Sequence, residues 1–271
     1  MPVTRSGATL SVVTTTRAGT VTSCWRYPVK SFQGLAEHSL EIADHGVIGD
    51  RTFGLIDLDV DRLLSAKRTA ALLEASATDT HVTLPNGSTV AVDDPDIDRV
   101  LSTWIGRPIR FARADATGPV SYQMTFDPPD DDAEMFDIPT PEGTFLDIAA
   151  VHVINVTTLR ACAATRPDVD WDIRRFRPNV VVDVETEPFG EQDWIGQEIM
   201  VGPVVLHVDG PMVRCAMPLR AQPGGLARQP QLFHALNELN PTYAGHLGLC
   251  CSVVKPGKIS AGDHVSTTPG V

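Results

Sequence analysis

The apolar residues of this chain fall in short runs, cut every few positions by glycine, proline, asparagine or aspartate, and this punctuation restricts the fold to one built mainly from short strands. Across residues 21–58 the runs read VTSCWRYPVKSF and HSLEIADHGVIGDRTFGLIDLD. HVTLPNGSTVAVDD follows, with Asn86-Gly87 between two alternating stretches, which is a hairpin signal. In the second half AVHVIN, FRPNVVVDV and PVVLHVDGPMVRC read as strands, and LGLCCSVVKPGKISAGDHVS as two more joined by a Pro-Gly turn. Helical patterns are fewer: the Ala/Leu-rich 62–75, a start at 94–101 opened by Asp and Pro, VTTLRACAA, and 228–239. The fold class is therefore mainly β with flanking helices, α+β. FDPPDDDAEMFDIPTP, residues 126–141, is acidic and proline-rich and reads as a linker or loop. It divides a first domain at 21–125 from a second at 142–271, behind a flexible polar leader at 1–20.

With 42% hydrophobic residues in 271, the chain can bury a sizeable core. Lys+Arg 22 against Asp+Glu 34 gives a net charge of −12, which disfavours nucleic acid as a partner. No apolar run reaches membrane-spanning length and the leader lacks an apolar signal core, so the expectation is a cytoplasmic protein without a membrane partner. The five cysteines, Cys24, Cys162, Cys215, Cys250 and Cys251, include no CxxC pair, which argues against a disulfide scaffold or an iron–sulfur site. Redox chemistry would then draw its electrons from outside the chain.

Three constellations stand out. Trp25-Arg26-Tyr27-Pro28-Val29-Lys30-Ser31 gathers two cations, two aromatics and a hydroxyl at a strand end, and Gly49-Asp50-Arg51 adds a guanidinium suited to a phosphate. A solvated strand end with a surface ion pair accounts for the same residues. Arg174-Arg175-Phe176-Arg177-Pro178-Asn179 places three arginines in four residues, which calls for an anionic partner, internal or bound; Asn179 is either a turn former or a ligand contact. Asp209-Gly210-Pro211-Met212-Val213-Arg214-Cys215 ends a strand with a cysteine beside an arginine, a setting that favours thiolate, the form that attacks electrophiles or binds soft metals. The other four cysteines lie in apolar patterns and read as small hydrophobes. No HExxH, GxSxG, Walker A loop or strand-linked GxGxxG is present, so zinc hydrolase, α/β-hydrolase, P-loop and dinucleotide folds lack their defining feature.

Taken in order, YPVKS (27–31), GDR (49–51), RFRPN (175–179), VRC (213–215) and PGKISAGDHV (256–265) resemble the MOSC family with its N-terminal β-barrel domain. That family includes the C-terminal part of molybdenum cofactor sulfurases and the amidoxime-reducing component. The resemblance implies a β-barrel MOSC core plus an N-terminal β-barrel domain, with a molybdopterin-type molybdenum cofactor in the cleft between them. By position, Lys30, Ser31 and Arg51 match residues that hold the cofactor phosphate, Arg177 and Asn179 match contacts to cofactor and active-site groups, and Cys215 matches the metal ligand. Arg214 and Asn179 join Cys215 as the implied catalytic set. Three departures stand against this: Ile148-Ala149 where relatives carry Thr-Ser after the aspartate matching Asp147, Met212 where many carry cysteine, and no ferredoxin-like tail.

The implied function is reduction of N-hydroxylated or N-oxide small molecules, with a separate electron-donor protein as partner. The alternatives are sulfur transfer through a persulfide on Cys215, supplied by a cysteine desulfurase, and a non-catalytic or repurposed binder of an anionic ligand.

Overall fold

The computed structural model describes residues 16–125, 127, 128, 130 and 132–267. Most of the leader lies outside them, but residues 16–20 belong to a strand, Thr16–Arg26. Thr16 pairs with Thr267 and Thr20 with Asp183, so this part of the expected leader satisfies its backbone in a ladder.

Seven strands close a barrel. Thr16–Arg26 is followed around the barrel by Val180–Val184, Val151–Asn155, His246–Lys255, Val204–Val213, Glu198–Val201 and His264–Thr267, which returns to the first. All these pairings are antiparallel except that of Val151–Asn155 with Val180–Val184. A parallel pair needs a crossover. Helix α1 here is Ile97–Ile105, α2 is Val156–Thr165 and α3 is Gln231–Leu239; α2 makes that crossover, with the Asn155 side chain accepting from Thr157 N at its start. Valine, leucine and isoleucine from alternate positions fill the barrel, among them Val21, Val153, Val182, Leu206, Leu249 and Val265. At Gly19 the first strand passes close to its neighbour: a Cβ there would lie 2.0 Å from Asp183 O.

Two small sheets surround a second core. Phe53–Asp57 pairs with Ile109–Arg113 and Arg62–Leu63, and Ser76–Ala77, His81–Thr83 and Thr89–Ala91 form a meander. Its turn is the expected Asn86-Gly87 hairpin, closed by Leu84 N to Ser88 O at 2.9 Å. α1 covers this core with Ile97 and Leu101, one turn apart. A third small sheet packs on the barrel core through Leu40, Ile42 and Ile259 and pairs Gly257–Ser260 with Ser39–Ala43. The Pro-Gly turn thus leads out of the barrel rather than back along it, and His264–Thr267 re-enters.

Two further expectations are corrected. Residues 62–75 are not a helix: they open as the strand Arg62–Leu63, turn, and close in a 3-10 turn, Ala70–Glu74. Leu64 N donates to Leu55 O, prolonging the ladder, and residues 63–67 are all buried, which no helical stripe would allow. In the acidic segment, Phe136–Pro139 is a strand paired with Ser121–Met124. No helix among the described residues is long and apolar enough to cross a membrane.

Candidate functional site

The motifs singled out in the sequence are stitched together at one cleft. Lys30 N donates to Phe53 O, Phe53 N to Pro28 O and Arg51 N to Tyr27 O, which binds the YPVKS stretch to the GDR turn. Tyr27 Oη donates to Pro178 O at 3.0 Å and Trp25 N to Asn179 O at 2.8 Å, which adds the RFRPN turn. Arg214 Nη1 donates to Phe176 O at 2.9 Å and adds the end of Val204–Val213. The cavity between them, about 110 Å³, is lined by Lys30, Ser31, Arg51, Arg177, Asn179, Arg214 and Cys215, every site residue that the sequence suggested.

Among the described residues six cations line this cavity, Lys30, Arg51, Lys67, Arg175, Arg177 and Arg214, against one carboxylate, Asp147. Two tyrosines organise four of them. The Arg51 and Arg177 guanidinium carbons lie 4.3 and 4.1 Å from the Tyr27 ring centroid, and the Lys30 and Lys67 ammoniums 4.4 and 4.2 Å from that of Tyr122. Aromatic faces attract cations, so each ring offsets part of the repulsion between the pair it carries. Ser31, Arg51 and Arg177 also have positive φ, 68°, 47° and 55°. Each such backbone costs on the order of 1–3 kcal/mol, and here three of them converge on one cavity.

The cations differ in what neutralises them. Arg26, part of the first constellation, is taken by Glu37 and Asp79 and does not line the cavity. Arg174 pairs with Asp172, and fully buried Arg175 with Asp170 and the carbonyls of Pro218, Arg220 and Ala227. Two of the three arginines in that turn therefore have internal partners. Arg51 pairs with its neighbour Asp50. Lys30 is bound to the Asp147 carboxylate and to Phe145 O, and Lys67 to Asp147 Oδ2 at 3.1 Å. Burial opposes ionisation of Asp147, but the two lysines hold its carboxyl well below the usual range. Burial likewise draws Lys30 down to about 8 against the pull of Asp147.

Arg177 and Arg214 have no carboxylate partner among the described residues. Arg177 donates to Phe32 O, and Arg214 to Phe176 O and Val213 O. Both are buried, and burial draws both guanidiniums down to about 10, with Arg51 adding to the effect on Arg177 and Cys215 opposing it on Arg214. They stay cationic at neutral pH, with N–H donors left over.

Half-buried Cys215 follows Arg214 and is the one cysteine on the cavity. Cys24, Cys162 and Cys251 are buried, and burial pushes their thiols up, the first two to about 11 and 12. Ser31 Oγ accepts from Ala66 N at 3.0 Å and keeps its own proton as a donor. Asn179 touches the cavity, but its amide hydrogens go to Trp25 O and Asp50 Oδ2 and its oxygen accepts from His152 N. Its geometry is that of a positioning residue that holds Asp50, and through it Arg51.

Lys67, Tyr122 and His152 were not singled out by sequence. Lys67 lay inside a pattern that reads as helix, and nothing near Tyr122 marks it. His152 is kept neutral by burial and by Arg214, with Nδ1 3.2 Å from Arg177 O, beneath the arginine turn. Among the described residues no three His, Cys, Asp or Glu side chains cluster as metal ligands. A soft metal in this cleft would find one thiol, Cys215, and would have to bring most of its ligands with it.

Residues 141–266 match the model of the MOSC domain, and residues 18–118 that of the MOSC N-terminal beta barrel domain. Over 79 residues, 26% of this chain, the sequence is 34% identical to a molybdenum cofactor sulfurase of Anopheles gambiae, and the match spans a tenth of that protein's length. Among solved structures, the YUAD protein from Bacillus subtilis is similar at 11% identity and a TM-score of 0.44, over 94% of this chain and 98% of that one. YiiM from Escherichia coli is similar at 20% identity and a TM-score of 0.33, over 48% of this chain and 59% of that one.

Proposed function

The chain belongs to the MOSC family, with both the MOSC domain and its N-terminal barrel domain, and from that premise we propose that it is a molybdenum-cofactor-dependent reductase of N-hydroxylated or N-oxide small molecules. The observation that carries this reading is the pair of buried guanidiniums, Arg177 and Arg214, that reach the same cavity as Cys215 without a carboxylate to neutralise them. A buried charge with no ion-pair partner is costly, so a site that keeps two guanidiniums bonded only to carbonyls suits an anion. The donor set fits a molybdopterin-type cofactor: guanidinium and hydroxyl donors for a phosphate, one thiol for a soft metal, and no cluster of three metal-ligating side chains among the described residues, which suits a metal that arrives chelated.

Arg51, Arg177, Ser31 and Lys30 would hold the phosphate end, and Cys215 would ligate the metal. When bound, the cofactor supplies a two-electron centre able to accept an oxygen atom from substrate. Reduction of an N-hydroxyl group to an amine consumes two electrons and two protons and releases water, so a separate electron-donor protein is part of the proposal. Arg214, buried and cationic, favours negative charge on the cavity side of Cys215. His152 and Asn179 hold the backbone from which Arg177 projects. Ile148 and Ala149 contribute no hydroxyl; Ile148 is 54% exposed, so the rim there is apolar.

The test is the metal content of the full chain purified without air from a host that makes molybdenum cofactor, wild type beside Cys215→Ala. Near-stoichiometric molybdenum, lost in the variant, and turnover of N-hydroxylated substrates with a supplied reductant are expected. A folded wild type without molybdenum would overturn the reading.

The stretch similar to the sulfurase, together with a single cavity-lining thiol, favours a second reading, sulfur transfer. The Cys215 thiolate would take the terminal sulfur of a cysteine desulfurase persulfide, releasing the donor's thiolate. Intact-mass measurement after incubation with such an enzyme and cysteine is then expected to show one added sulfur, absent in Cys215→Ala; an unmodified wild type rules the reading out.

A further inference from the structure

Asp147 lies on an irregular segment between buried Phe145 and buried Ala149, fastened where Phe145 N donates to Arg51 O. Its two carboxylate oxygens go to two different ammoniums, Oδ1 to Lys30 and Oδ2 to Lys67. The lysine side chains are 6% and 2% exposed, whereas the Asp147 side chain is 35% exposed. The Asp147 side chain is thus the most exposed of the three, and all three line the cavity that a ligand would enter. The ammoniums are held by contacts that do not involve Asp147: both rest on the Tyr122 ring, and Lys30 also donates to Phe145 O. Two cations fixed side by side, each offering one N–H to one oxygen of a bidentate acid, describe a seat for a phosphate group. Arg177 and Arg214 feel the same carboxylate.

We propose that Asp147 is a tethered counter-ion seated in the phosphate position between Lys30 and Lys67, that Lys67 is a further cation of the anion-holding wall, and that a phosphate monoester gains the two ammoniums by displacing the carboxylate. The inference rests on the cleft's being an anion site, as the proposed function holds, and not on the presence of molybdenum. A fixed like charge beside an incoming anion weakens binding, and its removal strengthens it. The device sets a threshold: a ligand that cannot replace the carboxylate oxygens on both lysines is excluded.

Calorimetric titration of the full, molybdenum-free chain with inorganic pyrophosphate, at pH 7 and low salt, tests it. Asp147→Asn is expected to bind about tenfold tighter than wild type and Lys67→Met about tenfold weaker, each about 1.4 kcal/mol. Lys67→Met is also expected to weaken binding more in the Asp147→Asn background than alone, because there the ammonium is free. Asp147→Asn that keeps the wild-type circular dichroism and binds no tighter overturns the inference, as does Lys67→Met without effect. The second variant, which replaces a buried charge with an apolar chain of similar length, covers the case in which the first does not fold. Molybdenum-free wild-type protein from a competent host, with these titrations as expected, would overturn the proposed function and keep this inference; the reverse pattern would do the opposite.

Discussion

On the Lys30 side chain two forces act in opposition: burial favours the neutral amine, and the neighbouring carboxylate favours the ammonium. Burial prevails, and the group titrates near 8 rather than near 10.5. The folded chain therefore binds fewer protons than the unfolded one between those values, and this group's contribution to stability rises with pH across that window. Its attraction for anions changes the other way, falling as pH passes 8. Sulfate, which stays a dianion throughout, is expected to bind wild type more weakly at pH 9 than at pH 7, by about threefold or more, the loss of one of several charges; Lys30→Met is expected to show no such step. Equal wild-type affinities at the two pH values would contradict this account. Asp147, whose carboxyl is also held low, follows the same sign in a more acidic window: its stabilising contribution is present above the ordinary carboxylate range and is lost as pH falls below it.

Among the elements, those legible in the sequence are the ones whose cause is local. The hairpin at Asn86-Gly87 and the helices α2 and α3 follow from turn chemistry and periodicity within a dozen residues. The site was legible in the same way where its chemistry is concentrated in short turns: Gly49, at φ 78°, lets the chain pass closely by Arg26 and deliver Arg51, and three arginines in one turn announce themselves. What the sequence hid was set by distant partners. The stretch 62–75 has the composition of a helix, but the ladder to Leu55 draws it into an extended path, and only that path buries Lys67 against Tyr122. Asn179 reads from the sequence as a turn former or a ligand contact, and its hold on Trp25 O and Asp50 was hidden because those partners are far away in sequence. The strand Gly257–Ser260 looked like half of a hairpin because its true partner, Ser39–Ala43, is at the other end of the chain.

For the molecule as a whole, the decisive fact is that the barrel is not made by one half of the chain. Thr16–Arg26 fills the gap between Val180–Val184 and His264–Thr267, so a fragment of residues 142–271 would carry six of the seven strands and two bare edges. Such a fragment is expected to show no cooperative thermal transition by circular dichroism and to aggregate, while residues 16–271 melt cooperatively; a sharp transition in the fragment would show that the first strand is dispensable. The same closure has a consequence in time. A ribosome makes Thr16–Arg26 first and His264–Thr267 some 240 residues later, and at about 5–20 residues per second the early strand waits roughly 12–50 seconds for its second neighbour. Until then the nascent chain carries an exposed, hydrogen-bond-hungry edge, so its safe passage through synthesis depends on whatever shields that edge in the meantime.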